Sequence, residues 1–398
     1  MKGRKYGLLV VALSVVALFG NASVTQSAEP KTLLWGLTAS LSGAGAYWGA
    51  GIVNGAKLAI EDINGKGGVT VKGEKYVFDL KSYDHEFRPD KNLELMHRLV
   101  ESDKAAFLWT HGAAATVACL PYFAQVKKVV MHIAAGEKML MDKEGSYYCF
   151  KTLDDPVVMT KLGFQFLHQK YPHVKKVFDI SPDNESGWDN SRLKKKYAEE
   201  YGIEVKTEYY PRGTTDFYPI ITRGLAWKPD LITPSRSAPE ALGNMLKQTR
   251  ELGFKGLFYS EAPYAFESVK KSAGQHVEGW IFVTSSYLVP GSETAQEKEF
   301  QKKYIDRHGG PFNDAAQTTA QGMYIVADAI QETQSLETDT LIKLMGSKKF
   351  KILGRDLTFV GKSVFPYSRQ SNTGVVIVEV KNEQQVPISP VIYLPDNF

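Results

Sequence analysis

The chain has little of what most catalytic and metal-binding proteins need. Among its 398 residues are two cysteines, Cys119 and Cys149, and eight histidines. The cysteines are too far apart in sequence to read as a ligand pair, and no HxxxH or HExxH spacing occurs. No GxSxG elbow, phosphate-binding GxxxxGK[ST] loop or paired nucleophile and base stands at a strand end, which argues against an enzyme. Asp183 and Ser186 in the DNES stretch have no histidine near them in sequence to complete a triad. Charge of one sign is also lacking: 48 basic side chains face 44 acidic ones. No repeat period marks a solenoid or propeller, and no low-complexity linker divides the chain. These absences leave a binding or structural role, with no cofactor, metal or nucleic acid implied.

Only one long apolar run exists, Leu8 to Phe19, and it is too short to span a bilayer comfortably. Lys2, Arg4 and Lys5 precede it, and Gly20, Asn21 and Ala22 follow, the order of a secretory signal peptide. The expected leader is 1–22, or 1–28 if cleavage follows Ala28. Removing its three basic residues lowers the net charge from +4 to +1, so the basic balance is mostly a targeting signal. The reading is export to the periplasm. There Cys119 and Cys149 form either one disulfide or two buried thiols.

About 370 mature residues exceed one usual core, so two lobes are expected. The most informative stretch is Leu33 to Val69. An apolar strand enters the small-residue loop SLSGAGAYWGAG, and a helix with Ile52, Val53, Ala56, Ala59, Ile60 and Ile63 on one face ends at Asn64 and Gly65. Strands at Lys75–Ser82, Ala105–Trp109 and Val129–Ile133 alternate with helices opening at Pro89 and after THGAAAT. The pattern restarts after Pro156. Strands at Val174–Ile180, Glu204–Tyr210, Asp230–Thr233 and Leu257–Ser260 alternate with helices Val157–Gln169, Ser191–Tyr201, Ile220–Trp227 and Pro239–Leu252. Gly279–Thr284 and Val375–Val380 are further strands, and Glu293–His308 and Asp314–Gln331 further helices. Short, nearly continuous apolar strands between helices predict two α/β units with mostly parallel sheets covered on both faces. Several returns of the chain between units favour a hinged clamp. Ligands in such sheets lie beyond the carboxyl ends of the strands.

That rule selects candidate residues. Tyr47, Trp48, Trp109, Trp188 and Tyr264 fall in or beside strand-end loops, where aromatics can stack a planar ligand. Trp109 equally fits a core strand end, and Tyr264 a helix cover. Glu261 is the leading charged candidate, because a buried carboxylate needs a cation, either a ligand ammonium or an internal partner such as Arg236. Arg236 could instead meet a ligand carboxylate, and His111 could donate to a polar ligand.

SLSGAGAYWGAGIVNGAKLAIEDINGKGGV, YDHEFRPDKNLELMHRLV, GTTDFYPIITRG with KPDLI, APEALGNMLKQTRELGFKGLFYSE and GRDLTFVGKS follow one another along the mature chain. Together they resemble the type I periplasmic binding proteins of the leucine/isoleucine/valine-binding group, the solute receptors of branched-chain amino acid ABC transport systems. The resemblance implies lobe 1 at 31–152 plus 279–361 and lobe 2 at 153–278 plus 362–398. It implies a small solute in the interlobe cleft, an inner-membrane ABC permease as partner and a monomer in solution. In amino-acid-binding relatives a serine and backbone amides hold the ligand carboxylate; the matching place is Ala113, Ala114, Ala115 and Thr116, where the serine hydroxyl is missing. A threonine segment is replaced by Ile133 to Glu137, and a second-lobe tyrosine by Ser186, with Trp188 beyond. Glu261 matches the acid that receives the ligand ammonium. The implied cargo is a hydrophobic or branched-chain amino acid or related organic acid. The alternatives are an aromatic carboxylate, a short amide, or a sensing module for a membrane receptor.

Overall fold

The computed structural model describes Met1 and residues 29–134, 141–153, 156–261, 266–362 and 365–393. The first unit begins with β1 (Lys31–Ala39), α1 (Ala46–Gly65), β2 (Val69–Val71), β3 (Glu74–Asp84), α2 (Pro89–His97), β4 (Phe107–Thr110), α3 (Ala113–Val126), β5 (Val130–His132) and β6 (Cys149–Lys151). The second contains α4 (Pro156–Lys170), β7 (Lys176–Pro182), α5 (Glu185–Glu199), β8 (Glu204–Tyr210), α6 (Tyr218–Ala226), β9 (Leu231–Pro234), α7 (Pro239–Glu251), β10 (Leu257–Glu261), α8 (Phe266–Ala273) and β11 (Trp280–Ser285). The chain then returns through α9 (Ala295–His308), α10 (Asp314–Thr333), α11 (Thr338–Met345), β12 (Phe350–Ile352), β13 (Arg355–Val360) and β14 (Gln370–Asn372). It ends with β15 (Val375–Lys381) and β16 (Gln384–Pro387). None of the helices of the described residues is long and apolar enough to cross a membrane.

Two sheets result, in the orders β12-β13-β14-β6-β5-β4-β1-β3-β2 and β16-β15-β11-β10-β9-β7-β8. The central strands β1, β3, β4, β5 and β6 pair in parallel, as do β8, β7, β9, β10 and β11. Every residue of β4, β9 and β11 is buried, as expected where helices cover both faces. Trp35, Trp109, Phe150 and Met323 fill the first core; Phe178, Phe258 and Trp280 lie on one face of the second sheet, Phe164, Tyr259 and Ile281 on the other. The pairing of α1 with α10 is close: a Cβ added at Gly55 would lie 2.2 Å from the Ala316 carbonyl oxygen.

The expected lobe boundaries at 279 and 361 move. Trp280–Ser285 belongs to the second sheet, paired in parallel with β10 and antiparallel with β15. Gln370–Asn372 belongs to the first, between β13 and β6. Sheet membership depends on long-range pairing, which local periodicity does not report. The chain therefore changes lobe after β6, after β11 and after β14, and these passages are hydrogen-bonded to one another. Ser286 N–H donates to the Gly374 carbonyl at 2.9 Å, and its hydroxyl to Thr373 O at 3.1 Å. Gln370 Nε2 donates to Leu153 O at 2.6 Å. Three adjacent, cross-bonded strands of chain make a hinge of limited twist.

Helix α5 starts earlier than Ser191. The Asn184 side chain caps it by accepting from Gly187 N–H at 3.2 Å, so Ser186 and Trp188 stand in its first turn. Both cysteines are buried free thiols. Burial pushes Cys119 up to about 12, against the Asn92 amide that donates to its sulfur.

Candidate functional site

The carboxyl ends of the two parallel sheets face a common cleft. From the first lobe, Trp48 follows β1, Phe87 follows β3, His111 and Gly112 follow β4, Ile133 follows β5 and Leu153 follows β6. From the second, Ser186, Arg212 and Arg236 follow β7, β8 and β9 in the same way. Asp314, Ala315 and Thr318, in the first turns of α10, close the wall, and the cavity holds about 570 Å³ of empty space, part of it open to solvent.

One wall is aromatic. Ring centroids of Trp48 and Phe87 are 6.2 Å apart, Trp48 and His111 6.1 Å, and Phe87 and His111 5.2 Å. Phe87 reaches this place from a strained turn: Glu86 and Phe87 have φ of 55° and 58°, a left-handed conformation that bulky residues avoid. The Phe87 N–H donates to His85 Nδ1 at 3.0 Å, holding the turn. Burial lowers the pKa of His111 well below the ordinary imidazole range, with His85 and Arg212 acting in the same direction, so its ring is neutral at pH 7. A neutral imidazole offers a hydrogen bond without adding charge.

The opposite wall is cationic. Arg212 comes from the second lobe and lies over two rings of the first, with Cζ 5.4 Å from the Trp48 centroid and 5.3 Å from that of Phe87. Arg236 is buried beside it on the loop after β9. Among the described lining residues the two guanidinium groups face a single carboxylate, Asp314. The Tyr47 hydroxyl donates to Asp314 Oδ1 at 2.7 Å and lies 3.3 Å from Ser268 Oγ of the second lobe. Tyr47 thus joins the lobes beside the cavity and does not line it.

Glu261 is elsewhere. It ends β10 fully buried, outside the cavity lining, with Oε2 3.3 Å from Lys194 Nζ. Its oxygens make no geometrically sound hydrogen bond, so the contact is an ion pair alone. Lys194 gives its better geometry to Asp179 Oδ1 at 3.0 Å and Thr233 Oγ1 at 2.8 Å. Burial is the largest influence on Glu261 and raises its pKa, Lys194 opposes it and Asp179 adds to it. The partner that the sequence offered for Glu261, Arg236, acts only at longer range.

Four other groups of candidates lie outside the lining of the main cavity. Trp109 is fully buried in β4 and packs on Gly322 and Met131, as core and not cavity. Trp188 is 48% exposed and donates its indole N–H to Asp183 at 2.9 Å on the outside of α5. Ala113, Ala114 and Ala115 line a neighbouring interlobe pocket with Asp183, Asn184 and Glu185, and meet the main cavity only through the shared Gly112, Phe87, Ser186 and Arg212. Thr116 is buried under α3 and lines neither. Glu137 and Tyr264 lie outside the described residues. Trp48, His111, Ser186 and Arg236 are brought together in the cavity.

Sequence reasoning missed Phe87, Gly112, Leu153, Arg212, Asp314, Ala315 and Thr318, and named Ile133 only as the start of a matched segment. Arg212 and Phe87 carried a usable signal, since each stands two or three residues past a strand end. The α10 residues carried none: they enter from a helix that only the tertiary fold brings to the cleft.

Two α/β lobes, a cross-bonded hinge and one small-molecule cavity at their facing strand ends define a solute-binding clamp. The chain belongs to the periplasmic binding protein family, whose model matches residues 35–385. It is 24% identical over 356 residues to the Leu/Ile/Val-binding protein homolog 1 of Brucella melitensis, covering 88% of this chain and 90% of that protein. An amino acid binding protein of Pseudomonas aeruginosa is 24% identical over 301 residues, covering 73% and 76%. Similar folds include an R. palustris ABC-transporter solute-binding protein in complex with benzoate, at TM-score 0.77, 16% identity and coverage of 91% and 97%. A branched-chain amino acid ABC transporter protein of Thermus thermophilus with bound valine superposes at TM-score 0.76, with 18% identity and coverage of 92% and 96%. Family and fold are those of solute-binding proteins, not of enzymes.

Proposed function

We propose that this protein is the exported solute-binding component of an ABC-type uptake system, and that its cargo is a hydrophobic organic acid, with aromatic monocarboxylates the best fit. The observation that carries the cargo is the juxtaposition of Arg212 and Arg236 with the Trp48, Phe87 and His111 wall. A carboxylate between two guanidinium groups gains charge-assisted hydrogen bonds, and an apolar body against the rings gains burial and stacking. With His111 neutral, the described lining residues carry two arginines and one aspartate, a set that suits a monoanion. The leader at 1–22 would direct the chain to the periplasm, where a monomer closes on solute and delivers it to an inner-membrane permease.

A hydrophobic amino acid is the second reading, favoured by Asp314, whose carboxylate opens into the same cavity and can receive an ammonium group. Relatives whose names specify leucine, isoleucine and valine support it. Mass spectrometry of ligand released from gently purified protein, followed by calorimetry with benzoate, 3-phenylpropionate, phenylalanine and leucine, tests both. Absence of binding to every carboxylic acid without an amine would reject the organic-acid reading. A sensing module for a membrane receptor would use the same clamp with a different docking partner.

A further inference from the structure

We infer that Lys194 is a specificity-determining residue: it occupies Glu261 with the protein's own ammonium and so biases the cleft against ligands that carry one. This rests on the organic-acid reading above and deepens it.

Glu261 lies outside the cavity lining but ends the strand beside β9, whose following loop carries Arg236 of the cavity wall. Phe258 of β10 pairs with Ile232 of β9, so Glu261, three residues on, comes level with Ser235 and next to Arg236 of the cavity wall. A carboxylate at that strand end, if unoccupied, is a natural acceptor for a cation entering the cleft. Lys194 reaches the same point from α5 on the face of the sheet that carries Asp179, Thr233 and Glu261. Lys194, Asp179 and Glu261 are all completely buried.

The division of partners within this group is unequal. Asp179 accepts from Ser181, Ser191, Thr207, Ser235 and Lys194 at 2.6–3.2 Å, and needs nothing further. Among the described residues Glu261 has Lys194 as its one ion-pair partner, at 3.3 Å, with no hydrogen bond to either oxygen. Lys194 is therefore what stands between Glu261 and an external cation. Removing one partner of a buried pair leaves a charge that recruits a replacement. A ligand ammonium is the replacement the cleft can supply.

The test uses ligand pairs that differ only by the α-ammonium group, phenylalanine against 3-phenylpropionate and leucine against 4-methylpentanoate, titrated by calorimetry. The wild type should bind each acid at least about tenfold more tightly than its amino acid. Lys194→Met should shift that ratio toward the amino acid by roughly 10- to 100-fold, the size of one charge-assisted hydrogen bond. Lys194→Met combined with Glu261→Gln should restore the wild-type ratio. Should Lys194→Met not fold, Lys194→Met with Asp179→Asn removes the ammonium together with one of its two carboxylates, and the same shift is expected. Glu261→Gln alone, a near-isosteric change, should leave the wild-type ratio within about threefold, because Glu261 is already occupied.

An unshifted ratio in a folded Lys194 variant, or lost discrimination in Glu261→Gln, would overturn the role of Lys194 while leaving the organic-acid reading intact. A wild type that prefers the amino acids would overturn that reading first, whatever the variants do.

Discussion

Replacing Arg212 by alanine removes a cation that spans the cleft. In the closed arrangement its guanidinium lies 5.4 Å from the Trp48 ring and 5.3 Å from the Phe87 ring, and it lines the cavity. Because Arg212 is half-buried, each ring contact is worth only about 0.5–1 kcal/mol. A charge-assisted hydrogen bond to a ligand carboxylate adds about 1.5–3 kcal/mol. The sum, about 4 kcal/mol in the middle of the range, corresponds to roughly 500- to 1,000-fold weaker binding. Arg212→Lys keeps the charge and loses the planar face, so it should lose about tenfold. Calorimetry with 3-phenylpropionate measures both, and X-ray scattering measures closure: the alanine variant should remain expanded at ligand concentrations that compact the wild type. Circular dichroism melts without ligand separate binding from folding. An alanine variant that binds within about threefold of wild type and closes normally would refute the assignment of Arg212 to ligand and latch.

Trp48→Ala should weaken the same ligand by roughly 10- to 100-fold, the loss expected when a buried aromatic contact is truncated, while the unliganded melting temperature changes little. Trp109→Ala should do the reverse, costing about 3–5 kcal/mol of folding stability in denaturant titrations because it opens a cavity at Gly322 and Met131. Trp188→Ala, on the exposed face of α5, should alter stability and affinity by no more than about 0.5 kcal/mol in the same two assays. Acid should destabilise the fold through its buried histidines. Burial pushes His85 down to about 4 and His132 down to about 3, so the native rings stay neutral while unfolded rings take up protons below about pH 6.5. Stability is therefore lost as pH falls from about 6.5 toward these values, by roughly 2 kcal/mol per group at pH 5. Unfolding free energies at pH 7 and pH 5 check this, and His132→Gln should reduce the loss.

The repeating strand and helix pattern was legible in the chain because each element has a local cause. β4 and β11 open as continuous apolar runs, and α2 and α7 open on Pro89 and Pro239, residues suited to a first helical turn. What failed locally also has local reasons. Asn184 caps α5 inside a stretch rich in polar residues, which looked like loop because capping residues are also turn residues. Trp109 and Trp48 are both tryptophans near strand ends, and the chain alone left Trp109 open between core and cavity. One is the third residue of a four-residue buried strand and the other stands at the start of a helix, a difference of position that decides core against cavity.

The sequence by itself determined the class of fold and its ligand-binding edge, since hydrophobic period and strand-end loops are properties of neighbouring residues. It also singled out His111, Ser186 and Arg236, each within a few residues of a strand end, and Trp48, at the far end of the small-residue loop after β1. Only the tertiary structure decided the partner of Glu261. Lys194 lies 67 positions earlier and meets it because α5 packs on β7 and β8 and the long Lys194 side chain reaches Asp179, Thr233 and Glu261 across the sheet. The same holds for Arg212 over Trp48 and for the lobe to which Trp280–Ser285 belongs. Charge neutralisation and sheet membership are settled by distances in space, and no local pattern encodes them.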